Sequence, residues 1–210
     1  RALASDTIGA QAQLYYAERL YFLPLAMIGI AFGVVILPTL TRALTQDDTT
    51  KAQATIHAGL ELAAFIALPA SVALAVMPRG ALSTLCHSGA FDSRATVQAG
   101  WILLALALGL TPVVFQRILY PAFYARKDTM TPMLLTFLGV GVQVAAAVTL
   151  FPRIGVLGLG LSVALAAWVQ VVAAGWMTMR RGFWQLEGAL LGRLVRCALA
   201  AGVMGAVLFV

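Results

Sequence analysis

Arg19 and Arg117 lie inside hydrophobic segments of the chain, where a charged side chain is costly. The sequence is 61% hydrophobic, and an arginine at the centre of a membrane helix costs about 2.5–3.5 kcal/mol on insertion scales. A membrane segment keeps such a charge where the side chain meets water, a counter-charge or an anionic ligand. What these two guanidinium groups face is therefore the first question about function.

The sequence leaves two interpretations of Arg19 open. Tyr15, Tyr16 and Tyr21 surround it, which is typical of an aromatic belt in which the arginine extends outward to lipid headgroups. Pro24 follows about one turn later, and a proline in a membrane helix frees a backbone carbonyl that needs a new partner or a wet cavity. The proline favours a cavity, and the tyrosines favour the interface.

The position of Arg117 favours a cavity. It lies about nine residues before the basic pair Arg126-Lys127, which places it roughly 13 Å deeper along a helix. A long side chain that extends toward the interface closes only about half of that gap.

Carboxylates are few in the hydrophobic segments. Glu18 precedes Arg19 directly, and neighbours on a helix point about 100° apart, so the two side chains do not easily share one partner. Glu61 lies about two turns inside its segment, where an interfacial role is favoured over an ion or proton site. The sequence has no paired carboxylates on one helix face, no histidine motif and no nucleophile with a base. We therefore expect neither an enzyme nor a bound cofactor.

The two cysteines, Cys86 and Cys197, show no metal-ligand spacing and are interpreted as unpaired thiols. We expect no metal site. The net charge is +6, but we expect no nucleic-acid partner, because the basic residues are distributed along the chain as membrane topology requires.

The composition indicates that most of the chain lies in a lipid membrane. Only 10% of residues are charged against about 25% in soluble domains, and the mean hydropathy is +0.93. A spanning helix needs about 20 mostly apolar residues, and six stretches qualify. They are residues 14–40, 54–77, 97–124, 131–151, 156–179 and 190–210. The predicted fold class is an all-α polytopic helical bundle.

The basic residues orient this bundle. Eight flank the connections after the first, third and fifth segments, and three follow the second and fourth. The eight are Arg42, Lys51, Arg126, Lys127, Arg180, Arg181, Arg193 and Arg196; the three are Arg79, Arg94 and Arg153. By the positive-inside rule the first segment runs from the outer face to the cytoplasm, and the sixth ends outside.

Short connections and prolines predict how the segments are arranged. Short connections make sequential helices antiparallel neighbours, and Pro152-Arg153 is expected to separate the fourth segment from the fifth. Prolines such as Pro69, Pro112 and Pro121 also fall inside segments, where they indicate either helices bent around a cavity or simple packing kinks.

Two motifs in order resemble the MurJ/MviN family of bacterial lipid II flippases, in the multidrug/oligosaccharidyl-lipid/polysaccharide exporter superfamily. The first comprises Tyr15-Tyr16-Ala17-Glu18-Arg19-Leu20, Leu23-Pro24, Ile28-Gly29-Ile30-Ala31 and Leu37-Pro38-Thr39-Leu40. The second comprises Leu119-Tyr120-Pro121-Ala122-Phe123-Tyr124-Ala125 with Asp128, Thr131 and Pro132. The resemblance runs from about Leu14 to the end of the chain.

The resemblance implies a two-lobe transporter fold around a central cavity. Residues 1–181 would form most of the second lobe, helices eight to twelve of a fourteen-helix parent, and residues 182–210 a linker and the start of a final helix pair. The first lobe would lie in a missing N-terminal part of the same chain. The parent would be a multi-pass protein of the bacterial inner membrane, surrounded by membrane lipids and associated with proteins of cell-wall synthesis.

The implied function is the flipping of lipid II, an undecaprenyl-pyrophosphate-linked peptidoglycan precursor, by alternating access. Arg19, Glu18 and Arg117 are the implied substrate-binding residues. Arg19 would meet the pyrophosphate, because a guanidinium binds phosphate oxygens through two hydrogen bonds, and Glu18 would pair with cavity cations when cargo is absent. The alternatives are another superfamily exporter, such as a polysaccharide-lipid flippase or drug/cation antiporter, and a non-transporting membrane scaffold of envelope synthesis.

Overall fold

A computed structural model describes residues 18–19, 21–22, 25–26, 29, 36, 38–43, 46, 48–76, 93–182 and 188–209. Five helices have defined bounds: α1 Thr49–Val76, α2 Ser93–Tyr124, α3 Met130–Ile154, α4 Val156–Arg180 and α5 Gly188–Phe209. The described residues between 18 and 43 are also helical and belong to the first hydrophobic segment. The remaining positions of the first motif, Pro24 among them, and Cys86 lie outside the described residues.

The predicted segments from the second to the sixth are confirmed as helices. All five are long and apolar enough to cross a membrane by length and composition. α1 begins earlier than the apolar stretch because Asp48 accepts the Lys51 backbone N–H at 2.9 Å and so caps its first turn. The fold class, an all-helical membrane bundle, is thus the one that composition predicted.

The separation of α3 from α4 differs from the prediction. Pro152 lies inside the last turn of α3 and does not end the helix. Gly155 ends it, with φ of 60° and its N–H donating to the Phe151 carbonyl at 2.9 Å. A positive φ costs glycine little because it has no Cβ, so Gly155 rather than Pro152-Arg153 makes the turn.

The helices form a row in which α2 is central. α5 packs on α1, α1 on α2, α2 on α4, and α4 on α3. The expectation that sequential helices are neighbours is therefore wrong for α2 and α3, which make little contact, and for α4 and α5, which lie apart in this row. α2 instead packs in parallel with α4, because small residues let the two backbones approach closely.

Close approach between α2 and α4 occurs at two glycines. A Cβ on Gly109 would lie 3.1 Å from the Ala164 Cα, and a Cβ on Gly160 would lie 2.8 Å from the Ala105 Cβ. The surrounding core is built largely from α2, with Leu103, Leu110, Val114 and Ile118 fully buried; the first segment adds Leu40. α3 and α5 carry mostly exposed apolar side chains, as expected of lipid-facing helices.

Pro112 shows how one helix break is accommodated. Proline has no N–H, so the carbonyl four residues earlier, that of Leu108, loses its helical partner. The Trp168 indole N–H of α4 donates to this carbonyl at 3.1 Å. At Pro112 the packing interpretation holds, because a neighbouring helix satisfies the freed carbonyl.

Candidate functional site

Arg117 lines a cavity of about 400 Å³. The other lining residues come from α2 and from the first segment: Gly29, Val113, Gln116, Tyr120, Pro121 and Tyr124. Successive turns of α2 therefore bring a guanidinium, an amide and two phenols to one wall. The side chain of Arg117 is exposed to this space.

Gly29 of the first segment faces Arg117 across the cavity. A Cβ built on Gly29 would lie 4.0 Å from the Arg117 Nε, so the guanidinium passes close to the backbone of the first segment. Arg117 also interacts electrostatically with the buried Tyr21 of that segment. The Arg117 side chain thus extends from α2 toward the segment that carries the first sequence motif.

Gln116 is fixed by a contact to α4. Its Nε2 donates to the Ala167 carbonyl at 3.1 Å, so the residue beside Arg117 ties α2 to α4 at the cavity wall. Gln116 and Arg117 point about 100° apart on the helix, so this bond fixes α2 against α4 and leaves the Arg117 side chain facing the cavity.

The Tyr120 hydroxyl is buried and has no hydrogen-bond partner that satisfies distance and angle among the described residues. Thr136 of α3 lies beside this hydroxyl and acts on it as a hydrogen-bonding side chain. The Thr136 hydroxyl donates its own proton to the Pro132 carbonyl at 2.8 Å, and its oxygen can still accept a proton. An unsatisfied buried hydroxyl is costly. The hydroxyl itself has almost no accessible surface, so the Tyr120 ring rather than its oxygen lines the cavity.

Glu18 and Arg19 lie on the first segment at a different level. Arg19 is exposed, Glu18 is half-buried, and each takes part in a polar or electrostatic interaction. Arg19 is ten residues before Gly29 in the sequence, a separation that would span about 15 Å in an ideal helix. Of the three predicted substrate-binding residues, only Arg117 lines the cavity described above.

Glu61 pairs with Arg193, a partner that the sequence did not reveal. The Arg193 Nη1 lies 2.8 Å from Glu61 Oε1 and 3.1 Å from Oε2. The two residues are 132 positions apart, so no local pattern links them. Their pairing joins α1 to α5.

Asp128 organises the connection between α2 and α3. Its carboxylate accepts the Thr131 hydroxyl at 2.6 Å and the Thr131 backbone N–H at 3.1 Å, and it forms an ion pair with Arg181 at the end of α4. The Thr131 hydroxyl, the Thr131 N–H and the Arg181 charge together lower the pKa of Asp128 to about 2. This part of the second motif is therefore a structural tie between α3 and α4.

No group of three or more His, Cys, Asp or Glu that could hold a metal occurs in the described part of the chain. Cys197 is a free thiol.

Comparison with known proteins places this architecture in one family. The family model "Lipid II flippase MurJ" matches residues 1–210. A probable lipid II flippase MurJ of Rhizobium meliloti (strain 1021) is 38% identical over 208 residues, which is 99% of this chain and 39% of the relative. The lipid II flippase MurJ of Burkholderia cenocepacia is 29% identical over 93% of this chain and 38% of its own length.

Two solved structures share the fold. A lipid II flippase MurJ in an inward closed conformation superposes with a TM-score of 0.82 at 20% identity, over 95% of this chain and 40% of that one. An inward-facing multidrug-resistance MATE family transporter of the MOP superfamily gives 0.60 at 19% identity, over 94% and 48%. The chain spans about 40% of the length of the MurJ proteins that it matches. It belongs to the lipid II flippase MurJ family.

Proposed function

We propose that this chain is the part of a lipid II flippase that supplies cations to the path of the lipid-linked pyrophosphate. The observation that carries the proposal is the Arg117 cavity: a guanidinium and an amide line about 400 Å³ within a bundle of membrane-length helices. Membrane proteins retain such groups at substrate paths. Family membership supports lipid II as the cargo.

The proposed chemistry is binding and release without a covalent step. The Arg117 guanidinium donates to phosphate oxygens. Arg19 provides a second cation on the same path about 15 Å along the first segment, and Glu18 competes for these cations when cargo leaves. Alternating access moves the headgroup through the polar interior while the polyprenyl tail remains in lipid.

The division of the chain is part of the same proposal. Residues 1–181 form most of one lobe, and residues 182–210 a linker and the first helix of a final pair. The opposing lobe, in the rest of the parent protein, closes the cavity. The parent works in the bacterial inner membrane among its lipids, with proteins of cell-wall synthesis as partners.

A transport assay tests the proposal. The full-length gene is expressed in bacteria depleted of their own flippase, and lipid II in the outer leaflet is quantified. The gene product should restore outer-leaflet lipid II, and Arg117→Ala and Arg19→Ala should each lower the rate at least tenfold, since a hydrogen bond to a charged group contributes about 1.5–3 kcal/mol.

The control is Arg153→Ala, which removes an exposed arginine from the last turn of α3, outside the cavity. It should transport normally. A well-expressed gene product that fails to restore lipid II would assign another cargo, and normal transport by Arg117→Ala would remove Arg117 from the path.

A further inference from the structure

A second cavity, of about 500 Å³, lies in the groove between α1 and α5. Its lining includes Glu61, Leu62 and Phe65 of α1 and Arg193, Arg196 and Cys197 of α5; this set is called the α1–α5 groove below. None of its lining residues belongs to the Arg117 cavity. It is a separate site.

α1 and α5 pack tightly beyond the groove. The two helices run in parallel, since Glu61 meets Arg193 and Val72 meets Gly205 further along. A Cβ on Gly205 would lie 2.4 Å from the Val72 Cγ1, so the helices are in tight contact there. The groove lies about three turns before this contact, around Glu61 and Arg193.

The groove contains more positive charge than it neutralises. Glu61 faces Arg193, and Arg196 lies one turn further along α5 without an ion pair in the described part of the chain. Arg193 uses one nitrogen, Nη1, for both Glu61 oxygens, while a guanidinium carries five N–H donors. The site therefore has a surplus of one positive charge and several unused donors, which an anion rich in oxygen acceptors would satisfy.

Apolar side chains beside these cations select the kind of anion. Phe65 is 69% exposed and Leu62 is 52% exposed, and both line the groove. A free anion gains nothing from such a surface, whereas a lipid places a phosphate and an acyl chain side by side. The positive-inside distribution puts Arg193 and Arg196 on the cytoplasmic side, where the leaflet carries anionic lipid.

We propose that the α1–α5 groove binds an anionic phospholipid of the inner leaflet. Arg196 and the free donors of Arg193 contact the lipid phosphate, an acyl chain lies against Phe65 and Leu62, and Glu61 competes with the phosphate for Arg193. Lipid occupancy thereby controls how firmly α5 is tied to α1. The inference does not depend on the cargo of the Arg117 cavity.

The test measures lipid affinity of the purified, delipidated full-length gene product in detergent. Dioleoylphosphatidylglycerol is titrated, retained lipid is counted by native mass spectrometry, and dioleoylphosphatidylcholine is the zwitterionic comparison. Arg196→Gln should weaken phosphatidylglycerol binding about fivefold, the effect of one basic residue near an anionic lipid surface. Glu61→Gln should strengthen it about fivefold, because Arg193 is released and a negative charge is removed.

The matched control is Lys51→Gln, which removes an exposed cation from the first turn of α1, outside the groove. It should leave affinity unchanged. The opposite signs of the two groove variants separate binding from misfolding, because a folding defect would weaken binding in both.

Three results would overturn the proposal. The first is equal affinity for phosphatidylglycerol and phosphatidylcholine. The second is an Arg196→Gln protein that binds as tightly as Lys51→Gln. The third is complete displacement of the lipid by inorganic phosphate at millimolar concentration, which would assign the groove to a free anion.

Discussion

Removing the indole donor of Trp168 tests whether α4 replaces the backbone hydrogen bond that α2 lacks at Pro112. In Trp168→Phe the Leu108 carbonyl loses the donor that α4 supplies. Lipid offers no replacement. Hydrogen bonds between membrane helices average about 0.6 kcal/mol and reach about 1.7 kcal/mol, so we expect a loss near 1 kcal/mol from this bond, in addition to the packing lost with the larger ring.

A double-mutant cycle separates these two losses. Pro112→Ala restores a backbone N–H that can donate to the Leu108 carbonyl, because residue 112 lies four positions after residue 108. Trp168→Phe in that background should cost only the packing part. The coupling energy between positions 112 and 168 should therefore be about 1 kcal/mol.

The assay is the free energy of unfolding, measured by SDS titration of the full-length gene product in mixed micelles. Four proteins are compared: the parent, each single variant and the double variant. An equal cost of Trp168→Phe in both backgrounds would refute the reasoning. The indole would then stabilise the protein through ring packing alone.

Two further predictions concern stability. Gly109→Ala should lower the free energy of unfolding by about 1–3 kcal/mol, because its Cβ would lie 3.1 Å from the backbone of Ala164. The control Gly141→Ala has open space around its Cβ and should be neutral or stabilising. Equal effects of the two variants in SDS titration would contradict the close approach of α2 and α4. Asp128→Ala should cost about 1 kcal/mol through the lost contacts to Thr131. The pKa of Asp128 is about 2 in the fold against an ordinary 3.8, so its contribution to the free energy of unfolding is complete above about pH 4 and is lost as the pH falls toward 2. A difference in unfolding free energy between parent and variant that stays constant from pH 6 to pH 2.5 would contradict this role.

The helices could be predicted from the sequence because each needs about 20 apolar residues and the solvent is lipid. Their ends were less predictable. Pro152 signals a helix end in most contexts, yet the last turn of α3 tolerates it, and the positive φ of Gly155 makes the turn. The order of the row was also hidden, since the approach of α2 to α4 depends on Gly109 meeting Ala164, which no local pattern reveals.

The candidate site was predicted in part. The depth of Arg117 relative to Arg126 indicated a cavity, and the structure places Arg117 on a cavity wall. The contribution of Tyr120 was not predicted, because a tyrosine in a membrane helix more often signals the interface. The ion pair of Arg193 with Glu61 was not predicted for a different reason. Arg193 was interpreted only as one of the basic residues that set membrane orientation, and Glu61 is 132 positions away.

The measurement that tests the central claim most directly is the affinity of the purified full-length gene product for lipid II, with and without Arg117→Ala. The account predicts that the variant binds lipid II at least tenfold more weakly, from the loss of charge-assisted hydrogen bonds to the pyrophosphate, while Arg153→Ala binds as the parent does. An Arg117→Ala protein that binds lipid II as tightly as the parent would contradict the account, because the cavity of Arg117 would then lie outside the path of the cargo.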